Sequence, residues 1–166
     1  MSDKRRVDVF LRVSVPFDAR ARQLVTLARL QALRARGLID EVTVDTWANR
    51  VTDSQPETTL ALAALDGFER WAIAHRATLT PGFESHESHS GFTGQRFRTT
   101  VFPVVCLAVY DGDHLRAVYP HSTEHGCVTV ADGLALIEAD VDFDTLARSD
   151  APAPTDTERD RDPTAA

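Results

Sequence analysis

An apolar segment at residues 101–119 constrains the fold more than any other part of the sequence. It reads VFPVVCLAVYDGDHLRAVY, with a proline near its start and an Asp-Gly pair between two apolar runs. An Asp-Gly pair in that setting is typical of a β-hairpin. The first run is apolar on both faces, which is typical of a central strand covered by helices on both sides. The segment therefore predicts strands at 101–110 and 114–119, with Pro103 opening the first.

The rest of the sequence adds two strands and three helices. Alternating apolar residues predict a first strand at 7–13, and a second strand is predicted at 41–51. Helical periodicity predicts helices at 19–36, from a capping box at 54–57 onward, and from residue 129 onward. The predicted order is β-α-β-α-β-β-α. A right-handed crossover makes the first two strands parallel, so we expect an α/β fold with a four-stranded mixed sheet flanked by helices.

The first predicted helix is amphipathic and basic. One side collects six apolar residues, which we expect to face the core: Ala21, Leu24, Leu27, Ala28, Ala32 and Ala35. The other side carries Arg22, Arg29 and Arg36 at a spacing of seven residues. Gly37 and Leu38 predict a Schellman-type end for this helix. Residues 80–100 and 120–127 lack periodicity and are predicted to be loops.

Composition indicates one cytoplasmic domain. Residues 1–148 are long enough for a single core, whereas 149–166, SDAPAPTDTERDRDPTAA, predict a disordered acidic tail. No apolar run has the ~18 residues that a membrane span needs, so no membrane partner is expected. The chain has one lysine against 17 arginines, and 17 aspartates against 8 glutamates. This acidic, lysine-poor balance favours a cytoplasm of very high salt, as in halophilic archaea.

The charge is unevenly distributed along the chain. Residues 1–50 carry a net charge of +4 and residues 51–166 carry −11, which gives −7 for the whole chain. A basic first third permits a nucleic-acid-binding face. Its candidate phosphate contacts are Arg22, Arg29 and Arg36, and the alternative is the solvated face of an amphipathic helix.

The element order, with Pro103 opening the third strand and Asp111-Gly112 between the third and fourth, resembles the thioredoxin-like superfamily. In that superfamily the corresponding proline is cis and borders the active site. The redox cysteines would lie between the first strand and first helix, where this chain has Ser-Val-Pro-Phe-Asp-Ala at 14–19. Without a thiol there, dithiol chemistry by that route is excluded.

The resemblance therefore implies a non-catalytic binding or adaptor domain. It would bind a protein partner at the sheet edge bordered by Pro103. The sequence does not identify that partner. The residues expected at that edge are Phe17, Phe102, Pro103, Tyr119 and His121.

The whole chain also resembles proteins of halophilic archaea that are labelled helix-turn-helix proteins. The segment LQALRARGLIDEVTV at 30–44 is similar to the last helix and wing entry of a winged-helix domain. The function implied by this resemblance is a DNA-binding transcriptional regulator that uses residues 19–51.

Histidines in the two predicted loops give a third alternative, a small zinc-binding protein or enzyme. The candidate ligands are His86, His89, His121, His125 and Cys127, since zinc prefers imidazole and thiolate. Their spacing matches no established zinc motif. The sequence also holds no nucleophile elbow and no phosphate-binding glycine loop, so the prediction leans away from an enzyme.

Overall fold

The computed structural model describes residues 4–53 and 59–140, which hold nine strands and three helices. In chain order the elements are β1 (Arg5–Arg12), α1 (Phe17–Ala35), β2 (Glu41–Trp47), β3 (Arg50–Thr52), α2 (Thr59–Ala74), β4 (Glu84–His89), β5 (Arg96–Val101), β6 (Val105–Asp111), β7 (His114–Tyr119), β8 (His121–Thr123), β9 (Gly126–Val128) and α3 (Val130–Glu138). The predicted capping box at 54–57 and the predicted tail at 149–166 both lie outside the described residues.

A four-stranded mixed sheet lies at the centre, in the order β2-β1-β6-β7. β1 pairs in parallel with β2 and antiparallel with β6, and β7 pairs antiparallel with β6. Five consecutive residues of β6 are buried, as expected of a strand covered on both faces. The predicted α/β class with a four-stranded mixed sheet and flanking helices is thus confirmed.

Helices cover both faces of this sheet. Phe68 of α2 meets Phe10 of β1, with ring centroids 5.7 Å apart. Val9 points to the opposite face because side chains alternate along a strand, and the pairing register places Tyr119 on that same face. Tyr119 packs so closely on α3 that a β-carbon at Gly133 would lie 2.6 Å from its ring. Since α1 contacts α3, these two helices share one face and α2 lies on the other.

The prediction of a loop at residues 80–100 is wrong. β4 and β5 lie in this segment and form a second sheet with β3, in the order β3-β5-β4. The second predicted strand, at 41–51, is also divided, since β2 ends at Trp47 and β3 begins at Arg50. The loop predicted at 120–127 contains the short hairpin β8–β9. These strands escaped prediction because they are short or, like β4, exposed at every residue.

The buried side of α1 also differs from the prediction. Its buried residues are Ala19, Gln23, Thr26, Leu30 and Leu33. The expected core residue Leu24 is 58% exposed, although Leu27 does pack partly against the core. The helix is therefore rotated relative to the orientation that its apolar stripe predicts.

Local signals at chain turns were predicted well. Gly37 has φ +78, its N–H donates to the Arg34 carbonyl, and the Leu38 N–H donates to the Leu33 carbonyl, which is the Schellman pattern. The Asp-Gly hairpin joins β6 and β7 as predicted. The peptide before Pro103 is trans, unlike its counterpart in the thioredoxin-like superfamily. The cis X-Pro bonds within the described ranges are Thr80–Pro81 and Tyr119–Pro120.

Candidate functional site

A cavity of about 680 Å³ opens at the sheet edge where Pro103 lies. Three separate chain segments meet there: the end of β1 at Arg12, the start of β6 at Pro103, and the residue after β7, Pro120. Helix α1 and the first turn of α3 form its other walls. The volume falls within the ~300–1,000 Å³ range of small-molecule sites.

The walls of this cavity are mainly apolar, with cations among them. Side chains of Val25 on α1, Val104 beside Pro103, and Leu134 on α3 supply apolar surface. Arg22 and Arg29 of α1 and Arg12 of β1 also line the cavity, and within residues 4–53 and 59–140 no aspartate or glutamate does. The cavity therefore has a positive lining on a protein whose net charge is −7.

A buried glutamine fixes α1 against the strand ends. The Gln23 side-chain amide donates to the backbone carbonyls of Arg12 and Val104, at 3.0 Å each. Both acceptors belong to cavity-lining residues, so this side chain holds α1 in place above the cavity. Gln23 is fully buried, which makes these hydrogen bonds costly to lose.

Aromatic packing supports the cavity floor near Pro103. The ring of Phe102 stacks on Trp47 of β2, with centroids 4.2 Å apart. The Trp47 indole N–H donates to the Pro103 carbonyl at 3.4 Å. The Arg12 guanidinium donates to the Phe102 carbonyl through Nη2, while its Nε is buried without a hydrogen-bond partner in the described part of the chain. Arg12 thus has donor capacity beyond its protein contacts.

The first turn of α3 is held by a capping box. The Thr129 hydroxyl accepts from the Asp132 N–H at 3.1 Å, and the Asp132 carboxylate accepts from the Thr129 N–H at 2.9 Å. These hydrogen bonds lower the pKa of the Asp132 carboxyl. The box fixes the position of Val130 and Ala131, which both line the cavity.

The five residues predicted at the binding edge have very different surroundings. Phe17 is 90% exposed at the start of α1, and Pro103 lines the cavity. Phe102 and Tyr119 are buried, so their side chains do not offer contact surface. His121 is half-buried between Trp71 and Tyr119. The role of these five residues in binding stays a prediction.

Burial shapes the chemistry of two of these side chains. Burial, with a smaller contribution from the Asp132 charge, raises the pKa of the Tyr119 hydroxyl. Burial also lowers the pKa of His121, and the charge of His75 acts in the same direction. The hydrogen bond between His121 Nδ1 and the Val118 carbonyl, at 2.6 Å, opposes that shift. Both groups therefore favour their neutral forms.

The predicted zinc ligands are not brought together. His86 and His89 lie three residues apart on β4, so they point to opposite faces of the strand. His125 and Cys127 lie in and beside the β8–β9 turn, and His121 packs against aromatic rings. Within residues 4–53 and 59–140, no group of three or more His, Cys, Asp or Glu side chains could hold a metal ion.

The arginine stripe of α1 lies beside α3. Arg29 and Arg36 approach Glu138 of α3, at 3.7 and 3.4 Å. Arg22 and Arg29 line the cavity, as described above. Sequence reasoning selected this stripe but missed Arg12, Gln23 and the cavity itself. A signal for Gln23 exists, because it shares the helical spacing of the buried α1 residues.

None of the helices in the described ranges has the length and hydropathy needed to cross a membrane. A family model described as "Helix-turn-helix domain" matches residues 1–142. No curated protein and no solved structure gives a significant match. Strands separate α1 from α2 and α2 from α3, so the described residues contain no two helices joined by a turn alone.

Proposed function

Since the chain belongs to the family described as helix-turn-helix domain, we propose that it is a nucleic-acid-binding protein that acts as a DNA-binding regulator. The observation that carries this proposal is the match over residues 1–142, which spans the three sheets and three helices of the described residues. We propose no catalytic role. The contact surface that best suits the charge of the described residues is helix α1.

Helix α1 is basic although the protein is acidic. It carries four arginines and a single acidic residue, Asp18, whereas α2 and α3 both have negative net charge. Its 19 residues extend about 28 Å, which exceeds the ~12 Å width of the DNA major groove. A basic helix of this length on the surface is suited to contact DNA phosphates.

We assign the main phosphate contacts to Arg20 and Arg34. Both are exposed, and they lie 14 residues apart on one flank of α1, away from the cavity. Arg22 and Arg36 are exposed on the opposite flank and would add contacts there. Arg29, the third member of the predicted stripe, is only partly exposed, and both Arg29 and Arg36 lie near Glu138, so we expect these two to contribute less than Arg22.

Fluorescence anisotropy with a mixed-sequence DNA duplex tests this proposal. From low to molar KCl we expect the logarithm of the binding constant to fall linearly, with a slope of about −0.9 per phosphate neutralised. Binding at low salt with this dependence supports phosphate contact. If no duplex binding is detected even at the lowest salt, the proposed function is overturned.

A second candidate function is protein binding by a non-catalytic thioredoxin-like domain. The strand order and directions of the central sheet support this kinship, although the trans peptide before Pro103 departs from it. The specific observation in its favour is exposed apolar surface on α1, where Phe17 is 90% and Val25 60% exposed. Such surface side chains are typical anchors for a protein partner.

A pull-down with Phe17→Asp tests this candidate function with a variant that should remain folded. Phe17 is exposed, so its substitution should leave stability nearly unchanged while removing an anchor. Phe102→Ala does not serve this purpose because Phe102 is a buried core residue. A partner retained by wild type and lost by Phe17→Asp supports the candidate, and a partner retained equally by both counts against it.

We also propose that the protein works in the cytoplasm of a halophilic archaeon. The support is its acidic, arginine-rich and nearly lysine-free composition. Screening at molar salt weakens self-repulsion among acidic residues, so thermal stability should rise from low to molar KCl. A melting temperature that falls over that range would contradict the proposal.

A further inference from the structure

The cavity at the Pro103 edge has the features of a small-molecule site, and the main proposed DNA contacts at Arg20 and Arg34 do not line it. We propose that it binds an amphipathic organic anion, with a carboxylate or phosphate group on an apolar body. The cavity volume of about 680 Å³ accommodates a ligand of that kind, and its walls combine apolar and cationic side chains.

The apolar walls would receive the body of the ligand. Val25 of α1 and Leu134 of α3 face the cavity from two helices, and Pro103 and Val104 border it at the sheet edge. Removing apolar surface from water contributes roughly 25 cal/mol per Å² buried. These side chains come from three elements that the core already fixes, so a ligand would order little of the protein on binding.

The cationic side chains would hold the charged group. Arg22 and Arg29 lie two helical turns apart, about 10.5 Å along α1, and Arg12 lies at the end of β1. Among the residues that the structure describes, no carboxylate lines the cavity to neutralise them, although Glu138 lies 3.7 Å from Arg29 outside it. A cationic ligand would meet repulsion here, and a neutral one would leave the charges unused.

Arg12 adds positive charge at the strand edge of the cavity. Its Nη2 donates to a backbone carbonyl, and its Nε is buried away from the cavity surface without a hydrogen-bond partner in the described residues. The guanidinium therefore contributes to the cavity mainly through its charge. The first turn of α3 lines the same wall at Val130 and Ala131, and its Asp132 carboxylate in the capping box offsets the positive end of the helix dipole there.

Isothermal titration calorimetry with four probes tests the proposal. Decanoate and decyl phosphate carry the two candidate anionic groups, decyltrimethylammonium reverses the charge, and inorganic phosphate lacks the apolar body. All titrations stay below the micelle concentration of the probe. We expect saturable 1:1 binding of at least one anionic amphiphile, at least about tenfold tighter than the cationic one or inorganic phosphate. The stronger of the two anions identifies the preferred headgroup.

Matched variants then assign binding to this cavity. Arg22→Gln/Arg29→Gln should weaken the best anion about tenfold or more, whereas the control Arg70→Gln/Arg76→Gln on the opposite side of the sheet should not. Ala131→Trp, at an exposed position of the lining, should block entry without disturbing the core. Circular dichroism checks that each variant is folded.

The proposal is overturned by absent or non-saturable binding of both anions, by equal affinity for the cationic probe, or by unchanged affinity in the folded cavity variants. The main proposed DNA contacts at Arg20 and Arg34 do not line the cavity, so Arg20→Gln/Arg34→Gln should weaken DNA binding without weakening anion binding, which distinguishes failure of one proposal from failure of the other.

Discussion

Helices α1 and α2 are both amphipathic, but they differ in the kinds of side chain that they bury. The apolar stripe of α2 is largely buried, with Leu65, Phe68 and Trp71 in the core. On α1 the larger apolar side chain of Leu24 is 58% exposed, while the polar Gln23 is fully buried. The first helix is positioned by hydrogen bonds at the strand ends as well as by apolar packing.

From this difference we expect the stability of the fold to depend more on α2, and the proposed binding to depend more on α1. Phe68 of α2 packs against Phe10 of β1 and against Phe83, which directly precedes β4. On α1, Val25 contributes to the cavity wall and Leu24 lies at the surface. Substitutions in α2 should therefore affect folding, and substitutions on the outer side of α1 should affect binding.

The largest expected effect is on the buried side of α2. Phe68→Ala should lower the free energy of unfolding by about 3–5 kcal/mol, because it leaves a cavity among Phe10, Phe83 and their neighbours. Leu24→Ala on α1 is the matched control and should change it by less than about 0.5 kcal/mol. Urea unfolding measures both, and equal losses would show that the two helices do not differ in this way.

A smaller effect is expected from the polar anchor of α1. Gln23→Leu removes the side-chain donors to the carbonyls of Arg12 and Val104 while keeping a similar volume. We expect a loss of about 0.5–1.5 kcal/mol in urea unfolding, since the Arg12 carbonyl loses this donor while the Val104 carbonyl keeps its hydrogen bond from the Arg12 N–H. An unchanged or increased stability would mean that apolar packing alone positions α1.

The smallest effect is a pH dependence on the α2 side of the molecule, where His121 packs against Trp71. Burial lowers the folded-state pKa of His121 below its ordinary value of 6.5. The unfolded chain therefore binds a proton at higher pH than the folded chain does. The contribution of His121 to the free energy of unfolding is present above pH 6.5 and is lost as pH falls through the folded-state pKa.

Unfolding curves between pH 8 and 5 should therefore show a decline in wild type that is weaker in His121→Gln. The difference between the two proteins is the quantity to compare. Identical pH profiles would show that His121 is not held in its neutral form.

Some features of the fold are encoded in short sequence patterns and others are not. The Asp-Gly hairpin, the Gly37 helix end and the Thr129 cap depend on neighbouring residues, and each was predictable. β4 reads ESHESH and has no apolar alternation, so its sequence does not predict a strand. It is a strand because its backbone pairs with β5. The rotation of α1 is likewise set by distant carbonyls that accept from Gln23.

Some features of the candidate site could likewise be predicted from the sequence and others could not. The sequence indicated the sheet edge at Pro103 as the site, and residues from three separate segments line one cavity there. It could not predict that Phe102 and Tyr119 turn inward, because both strand faces around them are apolar. Nor could it place Arg12 beside Arg22 and Arg29, since that proximity depends on how α1 crosses the sheet.

We propose that α1, unlike α2, contacts DNA. The most direct measurement compares duplex affinity and its salt dependence for Arg20→Gln/Arg34→Gln on α1 with the control pair Arg70→Gln/Arg76→Gln. Both variants lose two exposed positive charges, so a general change in net charge affects them equally.

We expect the α1 variant to bind more weakly than wild type at low salt, with a salt slope reduced by about 2, and the control to bind almost as wild type does. Equal losses in the two variants, or a larger loss in the control, would contradict the assignment of DNA contact to α1.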